Sequence, residues 1–186
     1  STQGVSSAAS DVYKRQPYDM VYSEIYGMNQ VSVQDVLHIL EKNGVTVKQV
    51  IQLPYIRDDV FNYLPVTEIN RDFGCDYQIQ EGEFLNLFQY NLEDGYEHNI
   101  QPVSTVTISG DRKLQSVGTD VKILFNQNPT FADKTLIIND SDFEKLSADI
   151  TGSAGIANLF QFQNWEDSYA GVCEVKEYLQ ESNQLN

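Results

Sequence analysis

The 186-residue sequence predicts an α+β fold, a mainly antiparallel sheet with two or three short amphipathic helices. Three observations carry that expectation. Between Val45 and Asn139, short runs of alternating or β-branched residues are separated by turn-forming residues, the pattern of strands joined as hairpins. Helical spacing of apolar residues falls instead near 18–26, 33–43 and 142–150. The apolar share is 41%, with 9 Phe and 11 Tyr, enough to fill one core of ordinary domain size.

Residues 1–16 read as a disordered or non-native tail, and 17–186 as a single globular domain. Ser1 to Gln16 is small, polar and aperiodic, and its last seven residues, SDVYKRQ, resemble read-through of a cloning adapter. Pro17 suits the first turn of a helix that Gly27 can end, with Tyr18, Val21, Tyr22, Ile25 and Tyr26 along one side. A helix of about ten residues is marginal alone, so this one needs a surface to lie on. Tyrosine is favoured at interfaces, and these five residues are the interface candidates, on an arm docking against a partner or a second copy.

Ser32 is placed to cap a second helix over Val33 to Asn43, with Val33, Val36, Leu37 and Leu40 as its apolar face and Gly44 at its end. Val45 to Leu53 reads as a strand stopped by Pro54, and Arg57 to Leu64 as a short helical turn. Val66–Asn70, Asp76–Gln80 and Phe84–Leu92 are strand candidates, the last returning through an Asp94-Gly95 hairpin into 96–101. Val103–Ser109 turns at Gly110-Asp111 into Lys113–Val117, and Val121–Phe125 and Thr135–Asn139 add further strands. Ser141 and Glu144 have capping-box spacing before a helix carrying Phe143, Leu146 and Ile150. Gly152 to Gly155 reads as a loop, and Gly171 to Gln180 fits either a helix or a strand.

Charge decides which partners are excluded. The net charge is −15, from 27 acidic against 12 basic residues, and no Lys or Arg occurs between Asp72 and Asp111 or between Lys145 and Lys176. Binding a polyphosphate backbone needs Lys and Arg to displace its counterions, so neither nucleic acid nor an anionic membrane surface is an expected partner. No apolar run reaches the roughly 18–20 residues of a membrane helix. Side-chain amides are abundant and scattered, which suits polar β surfaces.

Catalytic and metal motifs fail one by one. Asn70, Asp72 and Glu81 match three positions of a calcium loop, but Cys75 occupies the place of its turn glycine. Asp140, Asp142 and Glu144 read as the acidic start of a helix. Two Cys and two His without close spacing make no zinc site, and free thiols are expected. Cys75 with His98, and Glu81 with Glu83 on one strand face, are the remaining enzyme-like pairs. The expectation is therefore a non-enzymatic structural or interaction protein without metal or cofactor. It would be a subunit of a larger assembly such as a virus or phage particle, partnered by protein or by itself. The alternatives are an acidic anti-defence inhibitor mimicking DNA, and an enzyme of unrecognised type.

Overall fold

A computed structural model describes residues 18–26, 31–88, 102–122, 134–149 and 153–182. Eight strands form one mixed sheet: β1 (Met20–Ile25), β2 (Val47–Arg57), β3 (Asn62–Pro65), β4 (Glu83–Phe88), β5 (Thr105–Ile108), β6 (Arg112–Val121), β7 (Thr135–Ile138) and β8 (Ser153–Phe162). Four helices accompany it among the described residues: α1 (Val33–Lys42), α2 (Val66–Phe73), α3 (Asp140–Ala148) and α4 (Tyr169–Glu181). The spatial order is β1-β8-β2-β3-β7-β4-β6-β5. The fold is α+β, but the sheet is not purely antiparallel: β3–β7 and β4–β6 run parallel, and there are four helices.

The clearest correction concerns the first element. Tyr18, Val21, Tyr22, Ile25 and Tyr26 do not share a helical face, because Met20 to Ile25 is a strand paired with Gly155 to Phe160 of β8. Within that strand Met20 and Tyr22 are buried with Phe160 and Phe162, whereas Val21 packs against the opposite cluster with Leu53 and Leu159. The apolar residues of this segment fit a two-residue period as well as a 3.6-residue one, and a partner far along the chain decides between them.

β2 overturns a second expectation by running straight through Pro54. Antiparallel pairing to β8 continues on both sides of that residue. On its other edge β2 pairs with β3 only at Ile56–Tyr63 and Arg57–Asn62. Extending that register sets Pro54 opposite Pro65, where neither residue has an N–H to give, so the ladder is confined to two pairs. Arg57 to Leu64 is accordingly a hairpin and not a helical turn. Asp58 shapes it, its Oδ1 accepting from the N–H groups of Val60 and Phe61 at 2.8 and 2.7 Å.

Val66 to Asn70, expected as a strand, opens α2, which Gly74 terminates at φ 64°. Asp76 to Gln80 forms no strand. Asn70 holds that segment, with its side chain bonded to both the N–H and the carbonyl of Tyr77. α1 forms as expected, with Ser32 Oγ accepting from Gln34 N–H at 3.1 Å. α3 starts two residues before the capping box would place it. Asn139 is the cap, its Oδ1 accepting from Ser141 N–H at 2.9 Å. Gly110 and Asp111 make the β5–β6 turn, with φ of 76° and 58°. The Asp94-Gly95 hairpin, its return strand, His98 and residues 1–17 lie outside the described residues.

Packing divides between the faces. Val66 and Ile69 of α2, with Ile79, cover Leu53, Leu64, Leu87, Ile137 and Leu159. On the other face Val36 and Leu40 of α1 and Val175 and Leu179 of α4 lie over Phe160 and Phe162. A third cluster gathers Tyr63, Phe84, Leu114, Leu136 and Ile138 beside Leu146 of α3. Each such fully buried side chain contributes about 1.5–3 kcal/mol over its exposed state.

Close approach explains two glycines. A Cβ on Gly155 would lie 2.1 Å from the carbonyl oxygen of Glu24, so β1 can sit on β8 only because position 155 has none. The expected loop at Gly152 to Gly155 is thus largely strand, since β8 begins at Ser153. A Cβ on Gly171 would come within 2.9 Å of Val45 Cγ2, so this glycine lets α4 press onto the end of α1.

Candidate functional site

Where β1 begins and α4 begins, the chain leaves a cleft of about 310 Å³, lined by Tyr18, Asp19, Trp165, Glu166, Ser168, Tyr169 and Val172. One wall is set by Asp19. Its N–H donates to Phe160 O at 2.8 Å, and its Oδ2 accepts from Phe162 N–H at 2.6 Å, fixing the approach to β1 against the end of β8. The Tyr18 ring turns into the core, meeting Phe73 edge-on at 6.1 Å. Burial, and secondarily the charge of Asp72, pushes the Tyr18 hydroxyl up to about 12.

The facing wall is a 3-10 turn, Trp165–Asp167, that leads into α4. Ser168 closes it: its hydroxyl donates to Trp165 O at 2.6 Å and its N–H to the same oxygen at 3.1 Å. Val172 N–H then donates to Ser168 O, starting the helix. Trp165 is half-buried against the Phe160–Phe162 cluster, and Tyr169 stands 81% exposed one helical turn before Cys173. The cleft thus carries three aromatic residues, Tyr18, Trp165 and Tyr169, and two carboxylates in its lining.

The carboxylates differ. Glu166 is exposed and Asp19 half-buried. Burial raises the proton affinity of Asp19 and the charge of Glu166 raises it further, while the Phe162 N–H opposes both. The hydroxyl of Ser168 is engaged with Trp165 O, and among the described residues no histidine lines the cleft. Such a lining offers apolar contact, ring faces and negative charge, which is binding chemistry.

Of the five interface candidates, only Tyr18 reaches this cleft. Tyr22 is buried and stacked on Phe160 at 5.8 Å, Val21 and Ile25 are half-buried, and Tyr26 is 56% exposed. Of the enzyme-like pairs, that of Cys75 with His98 falls outside the described residues at His98, and Glu81 and Glu83 do not share a strand. Glu81 sits in the turn before β4, and Glu83 at the head of that strand accepts from Gln80 N–H at 2.8 Å. His38, on α1, is exposed.

The acids weighed as metal ligands have other work. Asp142 is fully buried, accepting from Gly82 N–H at 2.8 Å and pairing with Arg112, and Asp140 accepts from Thr67 N–H. Among the described residues no group of three His, Cys, Asp or Glu is placed to hold a metal ion, and Cys75 and Cys173 are free thiols. No described helix is long and apolar enough to cross a membrane. Sequence reasoning missed Trp165, Glu166 and Tyr169. Their signal was the run Asn164-Trp165-Glu166-Asp167-Ser168-Tyr169, aromatic and acidic residues interleaved inside a stretch without Lys or Arg.

No family model matches the chain, and no curated protein matches it. Among solved structures it is similar to a "Putative Lipoprotein from Bacillus anthracis", at 8% identity over 77% of this chain and 83% of that one, with a TM-score of 0.49.

Proposed function

We propose that the chain is a non-enzymatic interaction protein that seats part of a partner protein in the cleft between Asp19 and Tyr169. The observation that carries this reading is Tyr169, at 81% the most exposed of the large hydrophobic side chains described, set with Trp165 in the lining of a cleft. Aromatic residues are concentrated at the centres of protein contacts, where a desolvated ring contributes more than its neighbours. The engagement of the Ser168 hydroxyl with Trp165 O supports binding over turnover.

Trp165 is the chain's one tryptophan, so its fluorescence reports on the cleft alone. The test is to titrate the full chain with three pools of random peptides: basic, uncharged and acidic. A saturable change in Trp165 emission with any pool, with the peptides recovered intact by mass spectrometry, supports the reading. Silence with all three pools overturns it, and cleaved or modified peptide overturns its non-enzymatic part.

A further inference from the structure

We infer that the cleft takes the cationic end of a Lys or Arg side chain carried on a basic segment of a partner protein. This deepens the reading above and rests on it. The walls supply the two features a buried cation needs. Trp165 and Tyr169 offer ring faces, whose negative quadrupole attracts an ammonium or guanidinium group. Asp19 and Glu166 offer countercharge at the same place.

Asp19 is a half-buried carboxylate that has a hydrogen-bond partner but no countercharge among the described residues. Its hydrogen bond comes from a neutral backbone N–H, and among the described residues no Lys or Arg pairs with it. Some acids of this chain do face a cation: Glu174 has Lys42, Asp72 has Arg71, Asp120 has Lys122 and Asp142 has Arg112. On the Trp165–Val172 wall the sequence supplies none, since no Lys or Arg falls between Lys145 and Lys176; Lys14 and Arg15, which precede Asp19, lie outside the described residues. Burial and the repulsion of Glu166 both disfavour the ionised form of Asp19, and an arriving cation relieves both.

Size and exposure select a peptide over a free amine. A volume of about 310 Å³ is at the small end of ligand pockets and accepts one long side chain with its flanks. A small free cation would leave Tyr169 in water, whereas a backbone crossing the cleft covers it. The net charge of −15 draws such a segment in.

The experiment follows Trp165 fluorescence in the full chain with three synthetic 12-residue probes: a Lys/Gly peptide, the same peptide with every Lys acetylated, and a Glu/Gly peptide. Saturable binding of the Lys/Gly peptide alone is expected, weakened about tenfold by Asp19→Asn/Glu166→Gln and about tenfold by Tyr169→Ser. Tyr169 is too exposed for its replacement to unfold the chain. The charge-matched variant Asp111→Asn/Glu144→Gln, made at exposed positions outside the cleft, should bind within about twofold of the parent. Equal binding of the acetylated peptide overturns the cation assignment and leaves the interaction reading standing. Equal weakening by the charge-matched variant overturns it too, by tracing the attraction to bulk charge. Silence of the Lys/Gly peptide, when other peptide pools move Trp165, overturns this inference alone, and silence of every probe and pool overturns both.

Discussion

Asp19, just before β1, and Asp142, in the first turn of α3, are carboxylates that each accept a hydrogen bond from a backbone N–H, of Phe162 and of Gly82. Asp142 is fully buried and has Arg112 beside it. Asp19 is half-buried and has Glu166 beside it. The Asp142 arrangement joins three separate parts of the chain: the turn before β4, the first residue of β6 and the first turn of α3. Asp19 ties only the entry of β1 to the end of β8, with charge left over. A completed pair consumes its charge in holding the fold, and an incomplete one leaves it to act on something outside.

That contrast is broken most sharply at Arg112. Arg112→Met leaves Asp142 charged, buried and unpaired, and should cost about 3 kcal/mol of unfolding free energy, read as a shift in urea midpoint. Glu166 has no such role, and removing it should leave that midpoint in place.

Gly155→Ala is the next largest change. Its methyl group would meet the Glu24 carbonyl, a backbone atom that cannot swing aside, and about 1–3 kcal/mol should be lost as β1 is pushed from β8. Hydrogen exchange should show faster exchange along Met20 to Ile25 than in β7.

Asp19→Asn should act in the opposite direction. The folded chain holds the Asp19 proton more tightly than the unfolded chain does. Its contribution to stability is therefore complete below the ordinary carboxylate pKa and is lost as pH rises through the raised folded value. The amide variant should be at least as stable as the parent at neutral pH, with the gap closing on acidification. Thermal melts across that range check the sign. At Asp142 the charge is paired, and the corresponding amide should be less stable than the parent at neutral pH.

Surface charge should matter least. Lys42 Nζ lies 2.5 Å from Glu174 Oε2, with side chains 56% and 37% exposed, and Lys42→Ala should cost less than about 1 kcal/mol in the same denaturation assay. Tyr169→Ser should stay within about 0.5 kcal/mol while abolishing most of the binding, separating the cleft's function from its fold.

These differences follow what local sequence can encode. α1 was legible because its cap, apolar stripe and stop are all within a dozen residues. The β5–β6 turn was legible because two adjacent residues tolerate positive φ. β1 was not, since its apolar pattern serves two periods and its pairing partner lies beyond residue 153. β2 was read too short because a proline normally ends a ladder, whereas its long antiparallel pairing with the distant β8 carries it past Pro54. α2 begins with a β-branched pair, Val66-Thr67, and packing of Val66 and Ile69 on the sheet overrides that preference. The cleft's residues come from segments more than a hundred positions apart, so no window of sequence holds the site. The net charge was legible, but not that the fold sets Asp19 beside Glu166.

The position of β8 between β1 and β2 also sets a clock. Asp19 and Phe162, which it joins, are 143 residues apart. At ribosomal speeds of roughly 5–20 residues per second, β1 waits on the order of ten seconds after it is made before its partner exists. Throughout that interval Met20 and Tyr22 have no Phe160 to cover them, and the edge of β2 that β8 will fill stands open. Half of the sheet can therefore close only once β8 has been made, and a nascent chain released before then would present two sticky strands with nothing between them.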